Sequence, residues 1–365
     1  FGFFMEKGIN LLAEGGIFGY IIPHTWLTIK EAESVRQNLL SQVSILEIDK
    51  LPSRVFEDAH VETTNLIAKK CSNSDLRQKQ IIKVLNTGDD FNQALELSEN
   101  ASIKYFVQGQ LKVESFNLNV NETAQGIIDK LNESSRRLDE LCDFAVGIQA
   151  YDTYSGQNKD IIEQRVYHSD KQKDSTYLRE LNGKDILRFR INWPGNTWVS
   201  YGDWLAHPRK PIFFEGPRIL IREITASGLH PIIGAFVSEQ FVNYKSILNI
   251  IAKPGTNTDE NHLKFFLGLL SSSLFGWYFK KVANKNVTGT FPRISIHDLK
   301  KFPVKDVRSL SKDEITLYHE IIFAVEGGQA GRIETDTLLR ELNILVYKLY
   351  SITSAEINEI ESSIR

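Results

Sequence analysis

Two cysteines, Cys71 and Cys142, are all that 365 residues contain. That count excludes a disulfide framework and a cysteine-built zinc site. It implies free buried thiols in a reducing compartment. Long apolar runs are also missing. None reaches the ~18 residues of a membrane-spanning helix, and no cationic-apolar leader opens the chain. The cytoplasm is the expected location, with no membrane partner. The chain has no Gly-x-Gly-x-x-Gly, no Gly-x-x-x-x-Gly-Lys-Ser/Thr, no Gly-x-Ser-x-Gly and no His-Glu-x-x-His, which removes the common nucleotide, hydrolase and zinc-peptidase signatures. Its eight histidines are scattered, and its acids show no metal-ligand spacing, so no metal is implied.

Charge of one sign is not in excess overall. Lysine and arginine number 43 against 46 acids, for a net charge of −3. Averaged over the chain, that argues weakly against a nucleic-acid binder. With 42% hydrophobic and 24% charged residues, disorder is excluded as well. The only methionine is Met5, and Phe1-Gly2-Phe3-Phe4 enters an amphipathic pattern with no N-cap residue. The expectation is the C-terminal part of a longer polypeptide.

Helix and strand signals alternate over 1–85. An apolar-faced helix ends at Gly15-Gly16. IFGYII (17–22) reads as a strand buried on both faces, KEAESVRQNLLSQ (30–42) as a helix, and SILEID (44–49), NLIAK (65–69) and IIKVL (81–85) as strands. This alternation predicts an α/β sheet. It looks incomplete, because no strand precedes the first helix. Residues 86–140 are polar, and NETAQGIIDKLNESSRRLDEL (121–141) reads as a helix linking to a second unit. From 141 to 305, FAVGIQAY (144–151), TWVSY (197–201), RILIREI (218–224) and ILNIIA (247–252) read as short strands between turns. HLKFFLGLLSSSLFGWYFKKVA (262–283) is a helix whose apolar stripe forms core. Residues 306–365 are helical.

The charge divides at the same boundary. Residues 141–305 hold 22 lysines and arginines against 15 acids. A basic domain within an acidic chain suits a polyanion, because phosphate neutralisation drives much of DNA affinity.

Four segments occur in a telling order: FFMEKGINLLAEGGIFGYIIPHTWL (3–27), VRQNLL (35–40), ILEID (45–49) and VFEDAHVETT (55–64). Together they resemble the part of amino-group-specific DNA adenine methyltransferases that follows the catalytic motif. Five further segments resemble the TaqI-like C-terminal specificity domain of such enzymes. They are VGIQAYD (146–152), LNGKDILRF (181–189), WVSY (198–201), PRILIREI (217–224) and FFLGLLSSSLFGWYF (265–279). FPRISIHDLKKFPV (291–304) is similar to that family's closing motif, and LVYKLYSITSAEINEIE (345–361) to its helical end. The resemblance covers about 300 residues and points to type II or type IIG restriction-modification enzymes.

It implies the C-terminal part of a Rossmann-like methyltransferase sheet (1–120), a helical linker (121–140), an irregular β-rich target-recognition domain (141–305) and a helical tail (306–365). It also implies methyl transfer from S-adenosylmethionine to the N6 amine of an adenine flipped out of double-stranded DNA. The family's cofactor loop and Asn-Pro-Pro-Tyr/Phe motif are not in this sequence. Catalytic and cofactor-binding residues are therefore expected upstream, in the catalytic half of the same polypeptide, with this portion inactive alone. Where some members place a base-stacking aromatic, Lys69-Lys70 stands.

Arginine and lysine read guanine edges or hold phosphates. The candidate DNA-binding residues are Arg188, Arg190, Arg218, Arg222, Lys280, Lys281, Lys285, Thr288, Phe291, Pro292 and Arg293. Strand alternation puts Arg218 and Arg222 on one face of RILIREI. The polar loop 283–293 is the candidate for base contact. Tyr151, Tyr154, Trp193 and Trp198 read as core or turn aromatics before DNA-stacking groups. Two alternatives remain. One is a non-catalytic DNA specificity subunit, which would not need the α/β segment. The other is a protein-interaction scaffold with no DNA affinity.

Overall fold

The computed structural model describes residues 1–51, 56, 61–86, 102–118, 120, 122–282 and 293–362. It divides into two compact units, Phe1–Asn121 and Glu122–Arg365.

In unit 1, helix α1 (Gly2–Leu11) buries Met5 and Ile9 and has no side-chain cap at its start. It stops at Leu11, before the glycines. Gly15, at φ +79°, instead makes the turn into β1 (Ile17–Pro23), a conformation that favours glycine. The turn is held to the strand Thr63–Lys70 by Gly15 N–H donating to the Lys70 carbonyl (3.0 Å) and Lys70 N–H to that of Gly16 (2.8 Å). Next come α2 (Glu33–Gln42), β2 (Val43–Lys50), β3 (Thr63–Lys70), α3 (Ser74–Lys79), β4 (Ile81–Asn86) and β5 (Ser102–Val107). The sheet order is β1-β3-β2-β4-β5. β3 runs antiparallel to both β1 and β2, while β2 and β4 are parallel. β1 and β2 therefore share a direction, α2 joins them, and β3 is inserted between.

One expectation fails. β1 is not buried on both faces. It pairs only with β3 among the described residues, and Ile17, Gly19 and Ile21 are exposed while Phe18, Tyr20 and Ile22 turn inward. An outer strand shows such period-two alternation because one face lacks cover. The core beneath joins Trp26, Leu39, Ile45, Ile48, Leu66 and Phe116. The two cysteines are buried and free.

Arg36 is fully buried in this unit. Its Nη1 donates to the carbonyls of Trp26 (2.7 Å) and Ile29 (2.9 Å), its Nη2 to Glu114 (2.8 Å) and its Nε to Val113 (2.5 Å). The guanidinium thereby fastens α2 and the segment after β1 to residues 113–114.

Unit 2 opens with α4 (Glu122–Glu133), whose Ala124, Ile127 and Leu131 are buried. The helix read over 121–141 ends there. Arg136–Arg137 (β6) instead pair antiparallel with Pro303–Val304 (β15). One four-stranded antiparallel sheet has the order β12 (Gly234–Val237), β11 (Arg218–Arg222), β14 (Ile247–Ala252), β7 (Cys142–Val146). A second, of shorter strands, runs β13 (Val242–Asn243), β9 (Tyr177–Leu181), β10 (Trp198–Ser200), β8 (His168–Ser169). The apolar stripe of 263–279 is buried, but on two helices, α5 (Glu260–Ser271) and α6 (Ser273–Val282). Ser272 is extended between them. Its Oγ donates to the Leu269 carbonyl (2.7 Å), and Ser273 N–H donates to Asn343 Oδ1 (2.9 Å). Serines compete with the helix for backbone partners and so end it. The tail is α7 (Lys312–Gln329), α8 (Thr335–Leu349) and α9 (Ser354–Ser362).

Replacing Arg36 by alanine removes four hydrogen bonds to carbonyls, that of Trp26 buried, and should destabilise unit 1 by about 3 kcal/mol. Hydrogen exchange of residues 22–42 should then quicken on the order of a hundredfold; unchanged exchange would contradict the clamp. Asp49 tests the same unit through pH. Burial, then the charge of Glu47, push its carboxyl up to about 6. The folded state thus holds a proton that the unfolded chain releases near pH 4. Stability falls as pH rises from about 4 to 6 through this group. Asp49→Asn should flatten that fall and raise the melting temperature above pH 6.

Candidate nucleic-acid interface

Strand β11 is paired along both edges, and packing covers both its faces as well. Arg218, Ile219, Leu220 and Ile221 are all fully buried. The sequence placed Arg218 on a DNA-facing surface, and this is corrected here. It shares its face with Leu220, which packs among Leu181, Ile186, Ala235 and Ile247. The Arg218 Nη1 donates to the carbonyls of Gly216 (2.8 Å) and Glu239 (3.0 Å), and its Nη2 to that of Phe241 (3.0 Å). Burial lowers its pKa to about 10. Period-two alternation identified the face correctly, but it cannot tell which faces of a central strand meet water.

The structure gathers four of the remaining cations around the 223–233 loop between β11 and β12. Arg222 opens it, half-buried. Arg188 donates to the carbonyls of Ile232 (3.0 Å) and His230, and burial lowers its pKa. Lys280 donates to the Gly228 carbonyl (3.1 Å), and burial lowers its pKa too. Arg293 is exposed and pairs with Glu223 at 3.5 Å, its backbone bridging Ile224. Helix α6 lies tight against this loop. A Cβ on Gly276 would come within 2.5 Å of the Leu229 carbonyl and of Pro231, so only glycine fits. Two candidates lie elsewhere. Arg190 is exposed beside Gly331. Lys281 turns toward Glu359 (3.5 Å) and is largely covered. Lys285, Thr288, Phe291 and Pro292, with the rest of the 283–292 loop, lie outside the described residues.

Of the aromatics, Trp193 and Trp198 pack edge to face (5.3 Å). Tyr151 stacks on Tyr167 (5.6 Å), whereas Tyr154 is 97% exposed. In unit 1, Lys70 is committed to Gln42 Oε1 (2.8 Å) and the Ile9 carbonyl (3.2 Å). Sequence reasoning missed three exposed cations, Arg165, Arg209 and Lys245. They sit on separate turns, and only the fold brings them to the 147–151 segment.

Two family profiles match this chain. Residues 178–304 match the TaqI-like C-terminal specificity domain, and residues 1–56 match the Eco57I restriction-modification methylase. A restriction-modification methylase segment precedes a TaqI-like specificity domain. A protein of Methanocaldococcus jannaschii, provisionally named a type II restriction enzyme and methyltransferase, is 20% identical over 98% of this chain and 29% of its own length. Among solved structures, the type IIL restriction-modification enzyme MmeI in complex with DNA aligns with a TM-score of 0.51 at 10% identity. That alignment covers 100% of this chain and 50% of the other. The type IIG restriction endonuclease BpuSI aligns at 0.47 and 14%, over 100% of this chain and 48% of its own. The chain thus spans half or less of the length of these relatives, and the MmeI likeness is one of fold.

Arg218→Met should act on stability. Removing the guanidinium deletes three hydrogen bonds to carbonyls, the one to Phe241 buried, at about 2–4 kcal/mol. A chemical denaturation midpoint that does not move would contradict the buried role.

Proposed function

We propose that this chain recognises a short double-stranded DNA sequence on behalf of an S-adenosylmethionine-dependent adenine-N6 methyltransferase of the restriction-modification kind. Unit 2 is the reading module, and unit 1 is the closing part of the catalytic sheet. The observation that carries this reading is the specificity-domain match at 178–304, which falls within unit 2 and within the basic 141–305 stretch. The topology of unit 1 supports the second half. Two strands of like direction joined by a helix form a crossover of the doubly wound kind, and the methylase match covers its start.

A cavity of about 560 Å³ lies between α1 and α2, lined by Phe1, Met5, Ile9, Glu31, Val35 and Asn38. No step of methyl transfer is assigned to these residues, and the cofactor and the acceptor motif belong to the upstream half of the polypeptide. The base flipping that such chemistry requires would be served from unit 2 by holding the duplex in register.

DNA binding should therefore weaken steeply with salt. With six or more phosphates neutralised, affinity for a mixed-sequence duplex should fall on the order of a thousandfold between about 50 and 200 mM salt. Fluorescence anisotropy measures this, and binding that is undetectable or indifferent to salt rejects the reading. S-adenosylmethionine should leave the melting temperature of this chain where it is.

A further inference from the structure

We infer that bases are read at the edge of unit 2 formed by residues 147–151, with Gln149 as the base-contacting side chain and Arg209, Lys245 and Arg165 as its phosphate-holding flank. This rests on the DNA reading above and names the surface that performs it.

The edge is assembled from three distant stretches of chain. Ile148 N–H donates to the Asn243 carbonyl (2.8 Å), while Gln149 and His207 exchange both backbone bonds (3.1 and 2.9 Å). So close is the approach that a Cβ on Gly147 would stand 2.1 Å from the Asn243 carbonyl, so the position requires glycine. Residues directly opposed in an antiparallel bridge send their side chains to one face. Gln149 and His207 therefore emerge together. Lys245 Nζ reaches Gln149 Oε1 at 3.4 Å, and Arg209 Nε reaches the Gly147 carbonyl at 3.5 Å. The Arg165 guanidinium lies over the Tyr151 ring, 5.5 Å from its centroid.

Two features separate this edge from the 223–233 loop. The first is the state of the cations. Around that loop, Arg188 and Lys280 are spent on carbonyls, and Arg293 stands against a carboxylate at 3.5 Å. At this edge the three cations are exposed and make only long contacts, so their donors are available to phosphate. The nearby Asp152 carboxylate accepts from the Tyr154 N–H (2.9 Å) and lies 3.4 Å from His207 Nε2. The second feature is backbone strain. Arg165 (φ +48°) and Arg209 (φ +64°) both occupy the left-handed region, which is unfavourable for a long L side chain. Such strain persists where surrounding structure imposes it, and it gathers at binding sites.

The support beneath is rigid. Tyr151 Oη bonds His168 Nδ1 (2.8 Å), and His168 Nε2 meets the buried Glu180 (3.1 Å). Ahead of it, Tyr154 stands free at the tip of the next turn, where a ring can stack on an unpaired base. Gln149 Nε2 donates to the Tyr151 carbonyl (3.1 Å); reading a base exchanges that bond for one to DNA, and the amide then offers donor and acceptor side by side, the pattern that matches adenine N6 and N7 in the major groove.

Selection from a randomised duplex library by the full chain, with sequencing, tests this, alongside anisotropy on one mixed-sequence duplex. Gln149→Ala should relax the preference at one or two positions with less than about a threefold loss of overall affinity. Gln149→Glu, of the same shape, should turn an adenine preference there toward cytosine. Arg209→Ala with Lys245→Ala should weaken every sequence at least about tenfold and reduce the salt slope by about two. If wild-type protein binds and selects normally while all three variants match it, the edge is wrong and the DNA reading stands. If wild-type protein binds no duplex at low salt, the DNA reading falls and this inference with it.

Discussion

A guanidinium that bonds only to backbone carbonyls is the constraint on which each unit is built. Arg218 in unit 2 and Arg36 in unit 1 are both fully buried, and their direct hydrogen bonds go to main-chain oxygens. Arginine suits this because its planar fork presents five donors in fixed directions and stays charged. A lysine donates from a single nitrogen and could not span the same spread of carbonyls. The consequence for unit 2 reaches past the core. Arg218 holds the carbonyls of Glu239 and Phe241, while the Glu239 carboxylate is taken by Arg179 (2.9 Å). Residues 239–241 are thereby fixed from two sides. They lead directly into β13 and then into Tyr244 and Lys245, so the buried cation determines where an exposed one stands.

The helical layer works by the opposite rule, close approach of small residues. The serine break at 271–273 splits one apolar stripe into α5 and α6, and each helix then packs at its own glycine. A Cβ on Gly268 would strike Ile321 of α7 at 2.4 Å. Gly276 lets α6 lie against the loop that follows β11. Ser273 completes the arrangement, its hydroxyl bonded to Tyr347 of α8 (2.6 Å). The Ser272 hydroxyl and the Ser273 N–H and hydroxyl thus find partners, as burial demands.

Much of this fold was legible, and what was not has physical causes. Segments 44–49, 65–69, 81–85 and 247–252 are strands because runs of β-branched and apolar residues fix them locally. β5 was not seen. Its Lys104 and Tyr105 on a polar stretch give no apolar run, and its place comes from pairing with β4. The serine break was equally hidden, since its deciding partner, Asn343, is 70 residues away. For the site, the arginines of RILIREI were visible but their burial was not. Alternation gives a face, and only the sheet order says that β11 is central. Arg165 and Arg209 were unreadable for another reason: nothing in a single sequence reports a left-handed backbone at a residue other than glycine or asparagine.

Counting cations overstates the field that a polyanion would meet. The 141–305 stretch carries 22 of them, yet many are already answered. Lys264 lies between Glu260 and Glu326 (both 2.8 Å), Lys305 meets Glu314 (3.0 Å), Lys281 meets Glu359, and Arg218 is sealed from water. A paired, covered lysine contributes little potential outside the protein, because its partner cancels it within a few ångströms. What attracts phosphate is the exposed remainder, and position matters more than number, since screening confines each charge to about 8–10 Å at ordinary salt. A chain with net charge −3 can therefore present a locally positive edge. Strained arginines held beside a rigid backbone supply such an edge with fewer charges than composition would suggest are needed.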